Sequence, residues 1–369
     1  MRVLQVLHDD ERGGVQTLAA MIASGLSSPG FTVTTAYLYP RPALPALNKL
    51  GCVFTMMRRI WRGDFDALVA YQSTASILVG AIGWLRGCRV RIVHQTCTPA
   101  ETAAPLRLLD RFVGTLGFYS VNVANSAATE AAFASYPARY RRAMALIEHG
   151  IDAPISTRQR DEVRRRFGLP ADRPLILNVG RLVEQKNQDV LVAALASVPE
   201  AHLALAGGGQ KQDAYQALAA GLGVVDRVHM LGPLPLGDIA DLYAAADLFA
   251  FPSTWETFGL AAVEAAMVGL PLVVSDLPVL REVLHIDGVQ PVAFVDPHHV
   301  DDWGAAIQRA LAAPAAPLVI AAFARAMQRK YSRQRMIDAY VALFDQQPSP
   351  RLREQKSGNN LAPSTDKAR

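Results

Sequence analysis

Residues 252–271 read Pro-Ser-Thr-Trp-Glu-Thr-Phe-Gly-Leu-Ala-Ala-Val-Glu-Ala-Ala-Met-Val-Gly-Leu-Pro, and this stretch decides the fold. The apolar run 247–251 before it predicts a strand that ends at Pro252, because proline cannot donate to a sheet ladder. A loop follows, Gly259 lets the backbone turn, and apolar side chains then recur at helical spacing. The stretch therefore predicts one strand–loop–helix unit of a parallel α/β sheet.

The start of this helix is a predicted anion site. The first amides of a helix have no partner inside it, here those of Phe258, Gly259 and Leu260, and the helix dipole favours negative charge there. Glu256 lies before the helix and Glu264 within it, and eight helical residues span about 12 Å. That is close to the distance from the ribose to the sugar of a nucleotide sugar. Carboxylates near a helix start are also common for dipole reasons alone.

The spacing Glu256-x7-Glu264 in PSTWETFGLAAVEAAMVGLPLVVSD resembles the signature of the family-four retaining glycosyltransferases, which have the GT-B fold. The resemblance implies that Glu264 holds the ribose hydroxyls of a nucleoside-diphosphate-sugar donor. It implies that Glu256 lies beside the transferred sugar. Thr257, Phe258, Gly259 and Leu260 complete this part of the predicted donor site.

Two cations are predicted to face the same diphosphate. A buried-strand run ends at Gly180, and Arg181 and Lys186 follow it at a strand-to-helix turn. Without a metal ion, the charge on a departing diphosphate must be met by fixed cations and backbone dipoles. The resemblance matches Arg181 and Lys186 to the family's phosphate-binding residues, with solvated surface cations as the alternative. It also implies that the nucleobase lies against the backbone near Leu231.

The first half of the chain contributes a glycine pair and a histidine. Gly13 and Gly14 follow the first predicted strand but do not form GxGxxG, so a nicotinamide cofactor has no support. The resemblance implies that this loop approaches the donor phosphates or the acceptor, and a tight turn is the alternative. His94 ends a predicted strand, where ligands bind in open α/β sheets. The resemblance implies that it reaches the sugar or the acceptor, and a buried core histidine is the alternative.

No metal site is predicted. Asp64-Phe65-Asp66 matches the DxD pattern of metal-dependent glycosyltransferases, but both acids precede an apolar run, which favours the beginning of a strand. No cofactor is expected, because the nucleoside-diphosphate sugar is a substrate. The segment Glu148-His149-Gly150-Ile151-Asp152 resembles the family's NGID segment, with His149 in place of Asn. The role of that side chain is therefore open.

Strand-like and helical runs alternate along the 369 residues, which predicts an α/β protein with two Rossmann-like domains. The GT-B resemblance implies parallel sheets that face each other across a cleft. We expect an acceptor-binding domain over 1–165 and a nucleotide-sugar-binding domain over 166–330. A helix over 331–346 is expected to cross back to the first domain, and a disordered tail to cover 347–369.

Charge is distributed unevenly along the chain. Residues 1–170 carry 20 Lys and Arg against 12 Asp and Glu, a net charge of +8, whereas 171–346 carry 12 against 19, a net charge of −7. Basic residues cluster in 58–62 and 139–142, beside Trp61 and Tyr140. This mixture suits peripheral contact with an anionic membrane, with a solvated basic face as the alternative. No nucleic-acid recognition module accompanies it.

Features of the cysteines and of the N-terminus bear on localisation. Cys52, Cys88 and Cys97 form no CxxC pair, which is typical of a reducing compartment. The first apolar run is too short for a signal peptide. Residues 67–85 carry no charge, but Gln72, Ser73 and Thr74 interrupt them, so strand and helix are favoured over a membrane span. We expect a cytoplasmic protein, peripheral at the inner face of the membrane.

Together with the resemblance, these features predict a retaining, metal-independent glycosyltransferase. It would move a sugar from a nucleoside-diphosphate sugar to a saccharide or lipid-linked acceptor, in the synthesis of cell-surface polysaccharide or glycolipid. The predicted catalytic residues are Glu256, Arg181, Lys186 and His94. The alternatives of the same fold are a phosphorylase, a sugar-nucleotide epimerase, for which no dense acid/base set is evident, and a non-catalytic binding subunit, which would be expected to lose Glu256 or His94.

Overall fold

The computed structural model describes residues 1–10, 13–27, 30–40, 44–288 and 290–346. The chain forms two compact units. The first comprises Met1–Glu148 and the chain from Arg333 onward, and the second comprises His149–Ser332. The predicted disordered tail, 347–369, lies outside the described residues.

A parallel sheet forms the centre of the first unit. Its strands, in the order β2-β1-β3-β4-β5-β6 across the sheet, are β1 (Arg2–Leu7), β2 (Thr32–Tyr37), β3 (Ala67–Tyr71), β4 (Val90–His94), β5 (Val121–Ala124) and β6 (Met144–Leu146). Every pairing is parallel. All residues of β3 and β4 are buried, because helices cover both faces of the sheet.

Helices pack on both faces of this sheet. They are α1 (Gly14–Leu26), α2 (Ala46–Arg62), α3 (Ser73–Leu85), α4 (Ala104–Thr115), α5 (Ala127–Ala131), α6 (Ala138–Arg141) and the last helix of the chain, α15 (Arg333–Gln346). Val3 and Leu4 of β1 point to opposite faces, as consecutive strand residues must. Val3 joins the core formed with α1 and α15. Leu4 joins the core formed with α2, α3 and α4.

The second unit contains another parallel sheet. Its strands, in the order β12-β11-β10-β7-β8-β9, are β7 (Leu175–Val179), β8 (His202–Ala206), β9 (Val228–Gly232), β10 (Leu248–Phe251), β11 (Leu272–Ser275) and β12 (Val292–Val295). Its helices are α7 (Arg160–Arg166), α8 (Gln188–Ala194), α9 (Gln212–Gly221), α10 (Leu236–Ala245), α11 (Leu260–Met267), α12 (Pro278–Val283), α13 (Val300–Ala312) and α14 (Pro317–Lys330). The predicted two-sheet α/β architecture is confirmed.

The change from the first unit to the second falls between Glu148 and His149, ahead of the 165/166 boundary drawn from the sequence. The reason lies in α7. Its buried Arg164 donates to the Asp247 carboxylate at 2.8 Å and to the Ala245 carbonyl at 3.1 Å. These bonds fasten α7 to the segment just before β10.

The uncharged stretch 67–85 divides at Gln72 into β3 and α3, as the sequence predicts. Gln72 has φ 69, and its side-chain oxygen accepts a hydrogen bond from the His8 amide at 3.1 Å. Within the described ranges, no single helix is long and apolar enough to cross a bilayer. Only α13 and α14 taken together have the required length and apolar composition, and they are bent by 113° relative to each other.

Candidate active site

The candidate site lies where β7 and β10 end. These strands are neighbours in the middle of the second sheet, and the chain proceeds from them in opposite directions, from β7 to β8 and from β10 to β11. Ligands of open α/β sheets bind at such a switch point, outside the carboxyl ends of the strands. The loops that leave the two strands, 180–187 and 252–259, carry most of the residues predicted for the donor.

Lys186 and Glu256 form an ion pair between these two loops. Lys186 Nζ donates to Glu256 Oε1, and both side chains are mostly out of solvent. The ammonium group also lies 5.0 Å from the centre of the Phe251 ring. Removal of either partner of such a largely buried pair would leave the other charge uncompensated. The predicted phosphate-binding cation and the predicted sugar-side carboxylate thus meet at one point.

Gln185 ties the same two loops together. Its carbonyl oxygen accepts hydrogen bonds from the Thr254 amide at 2.9 Å and from Thr254 Oγ1 at 3.3 Å. Its side-chain Nε2 donates to the Trp255 carbonyl at 3.0 Å. Because Gln185 precedes Lys186 and Trp255 precedes Glu256, these bonds set the separation of the ion pair. Sequence reasoning missed Gln185, and no pattern around it marks it.

Asn187 turns the chain sharply between Lys186 and α8. It adopts the left-handed conformation, with φ 54 and ψ 35, which asparagine tolerates better than most residues. Its side-chain amide donates to the carbonyl oxygens of Pro252, at 3.1 Å, and Pro297, at 2.8 Å. The Asn187 side chain therefore fixes both the turn and the beginning of the neighbouring loop.

A network of buried polar side chains connects the ends of β7 and β10 beneath the two loops, on the side of the sheet core. Asn178 of β7 donates to the Ala250 carbonyl of β10 at 2.8 Å. Gln188 donates to the Arg181 carbonyl at 3.0 Å and accepts from the Tyr215 hydroxyl at 3.2 Å. Buried polar groups of this kind are retained when each has a partner. The sequence signal that could have revealed the network is Asn178, a polar residue inside an apolar strand.

The N-terminus of α11 has the geometry that the sequence predicts. Gly259 precedes the helix with φ 85, where a Cβ would lie 2.7 Å from Leu280 Cδ2, so the position requires glycine. The first amides bonded within the helix are those of Ala262 and Val263, which donate to the Gly259 carbonyl at 3.0 and 3.2 Å. The amides before them have no partner within the helix, which is the arrangement that suits an anion.

The side chain of Phe258 points into the protein core, away from the proposed anion site at its amide. It is buried and packs edge-to-face on Tyr331, with ring centres 5.2 Å apart. This contact anchors the loop, so only the backbone of Phe258 is available to a phosphate. Thr257 and Leu260, the other predicted contacts around it, are partly buried.

Glu264 lies inside α11 and is held by Tyr243 of α10. The Tyr243 hydroxyl donates to Glu264 Oε2 at 2.9 Å and lies 3.2 Å from the Ala261 carbonyl. Burial raises the pKa of the Glu264 carboxyl, and the hydrogen bond from Tyr243 opposes that rise. Tyr243 was not predicted from the sequence. Nothing in the sequence of α10 distinguishes it from any other buried residue of a helix.

Arg181 is exposed, in contrast to Lys186. The loop that carries it is braced by the glycine triplet after β8. A Cβ on Gly207 would lie 1.9 Å from the Gly180 carbonyl oxygen, and one on Gly209 would lie 2.3 Å from that of Leu182. The triplet therefore permits close approach of a neighbouring backbone.

Leu231 is the extra residue of a bulge in the edge strand β9. Met230 pairs with Leu205 of β8, and Gly232 pairs with Ala206, so the register passes over Leu231. Gly232 closes the bulge with φ 69. A bulge withdraws one residue's backbone groups from the ladder and redirects them, as is common beside active sites. The bulge thus leaves the backbone of Leu231 out of the pairing with β8.

The sequence of this unit matches a known family. The match to the family described as glycosyl transferases group 1 covers residues 159–334. Residues 159–334 belong to the glycosyl transferases group 1 family. This segment contains Arg181, Lys186, Leu231, Glu256 and Glu264.

Proteins similar in sequence to this chain include D-inositol 3-phosphate glycosyltransferases. That of Mycolicibacterium smegmatis is 35% identical over 232 residues, which are 59% of this chain and 52% of that protein. An uncharacterized glycosyltransferase of Methanocaldococcus jannaschii is 33% identical over 165 residues, 42% of each. The chain spans about half the length of the curated relatives that it matches first.

Solved structures share the fold over nearly the whole chain. Anabaena HepE in complex with UDP-glucose superposes with a TM-score of 0.81 at 20% identity, over 94% of this chain and 100% of HepE. Sucrose-phosphate synthase from Thermosynechococcus elongatus gives a TM-score of 0.78 at 20% identity, over 94% and 98%. The fold is the GT-B fold, as the sequence predicts.

His94, which lies outside the segment matched to the family, is a buried core residue of the first unit. Its Nδ1 lies 3.1 Å from the Ala70 carbonyl, and its Nε2 lies 2.6 Å from the Tyr340 hydroxyl of α15. The ring stacks on Tyr71 at 4.2 Å. Burial lowers the pKa of His94 to about 4. With both ring nitrogens engaged, the structure favours the structural interpretation over contact with a sugar or acceptor.

Gly13 and Gly14 lie at the start of α1. Gly13 caps the helix with extended backbone, φ −170 and ψ 179, and its carbonyl accepts from the Thr17 amide at 3.0 Å. Most residues can adopt that conformation, so the tight-turn interpretation has no support from the backbone angles. The predicted approach of this loop to donor or acceptor stays a prediction.

Asp64 and Asp66 lie just before β3, at the amino edge of the first sheet. Asp64 pairs with the Arg2 guanidinium at 2.5 Å, and Asp66 accepts from the Arg2 amide at 2.7 Å. The predicted beginning of a strand is therefore correct. Within the described ranges, no group of three or more His, Cys, Asp or Glu side chains is placed to hold a metal ion.

The structure also places two aromatic side chains discussed in the sequence analysis, His149 and Tyr140. His149, which replaces the family's Asn, is buried with its ring centre 4.8 Å from that of Phe258, so it packs on the loop before α11. Tyr140 was expected at a membrane surface, and that expectation is wrong. It is buried, and its hydroxyl donates to Asp110 Oδ2 at 2.7 Å, because this buried carboxylate needs donors.

Proposed function

We propose that the protein transfers a sugar from a nucleoside-diphosphate sugar to a saccharide or lipid-linked acceptor, with retention at the anomeric carbon. The observation that carries the proposal is the Lys186–Glu256 ion pair at the switch point of the second sheet. A cation and a carboxylate held together suit a substrate in which a negative diphosphate is bonded to a sugar.

Each end of such a donor has a candidate partner in the second unit. The diphosphate would accept hydrogen bonds from the amides at the start of α11 and from Lys186 and Arg181. Glu264 would accept from the ribose hydroxyls, and the redirected backbone of Leu231 would contact the base. HepE, which is similar in fold, was solved with UDP-glucose, and this supports a nucleotide sugar as the donor class.

Departure of the diphosphate is the step that these cations would assist. Negative charge grows on the leaving oxygen as the bond to the sugar breaks, so fixed cations stabilise the transition state more than the ground state. Lys186 would then shift its interaction from Glu256 toward the phosphate. Glu256, released from the lysine, would face the positive charge that develops on the sugar ring.

We propose that this transfer needs no metal ion. The acids of the DxD-like segment, Asp64 and Asp66, are already engaged with Arg2 at the amino edge of the first sheet. Ligand sites of open parallel sheets lie at the opposite, carboxyl edge. Cations of the protein would therefore take the part that a divalent ion has in metal-dependent enzymes.

The first unit would present the acceptor, and the product would belong to cell-surface polysaccharide or glycolipid synthesis in the cytoplasm. The basic charge of the first half supports an acceptor with anionic groups or one carried on an anionic membrane.

Calorimetry with free nucleoside diphosphates, followed by assays of sugar transfer, tests the proposal. Glu264→Ala should weaken diphosphate binding by about 1.5 to 3 kcal/mol, because hydrogen bonds to a charged group are lost. Glu200→Ala, at an exposed position away from these loops, should leave binding unchanged. Binding without any transfer would indicate a non-catalytic subunit. Unchanged affinity in Glu264→Ala would remove that residue from the site.

A further inference from the structure

Helix α2 of the first unit exposes a row of large apolar side chains. Leu47, Phe54 and Trp61 are 82%, 68% and 56% exposed, and Leu50 lies between the first two and is also exposed. Their spacing of three, four and seven residues puts them along one side of the helix. The opposite side packs into the core of the unit through residues such as Ile60. Helix α2 is therefore apolar on two sides, and the described part of the chain covers one of them and leaves the other exposed.

Helix α4 repeats this arrangement. Leu108 and Phe112, which are 63% and 61% exposed, lie four residues apart and point away from the sheet, whereas Val113 is buried in the same core as Ile60. Helix α3 contacts both α2 and α4, and its last residue, Leu85, is exposed as well. The three helices therefore form one layer with apolar side chains across its outer surface.

The charges on this surface are of one sign. Neither α2 nor α3 contains an aspartate or glutamate, and the one carboxylate of α4, Asp110, is buried under the hydroxyls of Tyr119 and Tyr140. Exposed arginines stand among the apolar side chains, among them Arg58 and Arg62 at the end of α2 and Arg111 on α4. The outer surface thus combines apolar groups with positive charge, and the three helices themselves present no exposed carboxylate; the nearest ones along the chain, Asp64 and Glu101, lie in the segments beyond the ends of α2 and α4.

We propose that this outer surface of α2, α3 and α4, the docking face, binds peripherally to an anionic membrane. Leu47, Phe54, Trp61 and Phe112 would enter the headgroup region, and the arginines would contact lipid phosphates. Apolar and aromatic side chains beside cations are the combination that anchors amphipathic helices in this plane. Helix α2, with 17 residues, is about 26 Å long and lies along the surface without spanning it.

Charge decides between a membrane and a second copy of the chain as the occupant. In a symmetric dimer through this face, the arginines of one copy would approach those of the other, and like charges in contact cost free energy. An anionic bilayer offers phosphates to the same arginines. The proposal goes beyond sugar transfer, because binding to vesicles is measured without donor or acceptor.

Sedimentation of the full chain with vesicles tests the docking face. Vesicles of phosphatidylcholine alone are compared with vesicles that also contain phosphatidylglycerol. We expect binding to the anionic vesicles only, and a blue shift of the tryptophan emission that Trp61→Phe reduces; Trp84 of α3, which is 47% exposed, accounts for the remainder. Binding should fall when salt rises to about 0.5 M, because screening shortens the reach of the charges.

Two variants and a matched control locate the contact. Leu47→Gln combined with Phe54→Gln should lower the fraction bound about tenfold or more, since both side chains would otherwise leave water. Arg58→Glu combined with Arg62→Glu should lower the partition coefficient about a thousandfold, at about 1 kcal/mol for each of the two charges removed and again for each of the two introduced. Leu318→Gln, at an 83% exposed leucine of α14, should change nothing.

Three outcomes would overturn the proposal. They are equal partition to neutral and anionic vesicles, no binding to either, and a concentration-dependent dimer in ultracentrifugation that the Leu47 and Phe54 substitutions dissolve. The last would assign the docking face to a second copy of the chain. Each is independent of sugar transfer, so failure here leaves the proposed enzymatic function to its own test.

Discussion

Tyr243 donates its hydroxyl to Oε2 of Glu264 at 2.9 Å, from a position in the core of the second unit. Glu264 is the carboxylate proposed for the ribose, so this hydroxyl decides how the carboxylate is oriented. The Tyr243 hydroxyl oxygen also lies 3.2 Å from the carbonyl oxygen of Ala261, three residues before Glu264 in α11. A buried residue of α10 thereby positions the carboxylate of α11 that is proposed to bind the ribose.

The substitution Tyr243→Phe removes only the hydroxyl. We expect the dissociation constant for a nucleoside diphosphate to rise about fivefold, the effect of about 1 kcal/mol from one hydrogen bond. The pKa of Glu264, which burial already raises, should rise further because the Tyr243 hydrogen bond lowers it. Ribose hydroxyls donate to the ionised form, so affinity is full above this pKa and falls as the pH drops through it. In the Tyr243→Phe variant, the affinity for the nucleoside diphosphate should therefore begin to fall at a higher pH than in the native protein.

Calorimetry from about pH 4.5 to 8, which spans the ordinary range of a raised glutamate pKa, measures both effects. Tyr37→Phe, at an exposed tyrosine of β2, is the matched control and should behave as the native protein. A Tyr243→Phe protein with native affinity and a native pH profile would show that the hydroxyl only stabilises the fold.

Arg181 and Lys186 should affect turnover alike and stability differently. Alanine at either position should lower kcat about a hundredfold or more, because each loses a charge that stabilises the leaving diphosphate. Lys186→Ala also leaves Glu256 half-buried without its cation, so it should lower the melting temperature, whereas the exposed Arg181 should not. Steady-state kinetics and thermal unfolding measure the two effects.

Arg173→Ala is the control for both substitutions, since Arg173 pairs with exposed Glu200 away from the site. Adding Glu256→Gln to Lys186→Ala should restore part of the lost stability, because the uncompensated charge is then gone. Native turnover in the Lys186→Ala protein would contradict the assignment.

Activity should survive chelation of divalent ions. Because Asp64 and Asp66 are engaged with Arg2, Asp64→Asn and Asp66→Asn should leave turnover within about twofold. Asp64→Asn should lower stability only slightly, because Asp64 is exposed, whereas Asp66→Asn should lower it more, because the Asp66 side chain is 12% exposed. Assays after extensive dialysis against EDTA, with and without manganese or magnesium, measure this. A strict metal requirement that Asp64→Asn abolishes would restore the DxD interpretation.

His94 should contribute a pH dependence to stability instead of to catalysis. Its pKa is about 4 in the folded protein against 6.5 ordinarily, so the unfolded chain binds a proton that the folded chain does not. Stability is therefore complete above pH 6.5 and is lost as the pH falls toward 4, by about 2 to 3 kcal/mol over two units. Urea unfolding at several pH values should show this slope.

The variant His94→Gln should be less stable at neutral pH and should lose that part of the slope. Its turnover per folded molecule should stay within a few-fold of native if the residue is structural. A loss of about a hundredfold in turnover, with the fold intact, would return His94 to the catalytic residues.

Sequence reasoning points to the candidate site of the second unit because the residues predicted for it form short local signals. Pro252, Gly259 and the spacing of Glu256 and Glu264 each have a local physical cause: the end of a strand, a left-handed residue before a helix, and two carboxylates flanking an anion site. Such patterns are visible in a short window of residues. The three-residue strand β6 was not predicted, because so short a segment carries no usable period.

The residues that support the site were missed for the opposite reason. Gln185, Asn178 and Tyr243 act through partners roughly 20 to 70 positions away along the chain, and only the fold brings those partners close. The expectation for Tyr140 failed in the same way. Beside a run of arginines it suggests a surface residue, and only its distant partner Asp110 shows that it is buried.

The bonds of Gln185 to Thr254 and Trp255 have a consequence for engineering the protein. Because the hydrogen bonds of Gln185 join both loops, a change in the conformation of either loop also displaces the other. A library that randomises 254–257 to change the sugar accepted should therefore keep Gln185 fixed. Libraries that vary Gln185 as well should yield mostly inactive clones whose loops have separated.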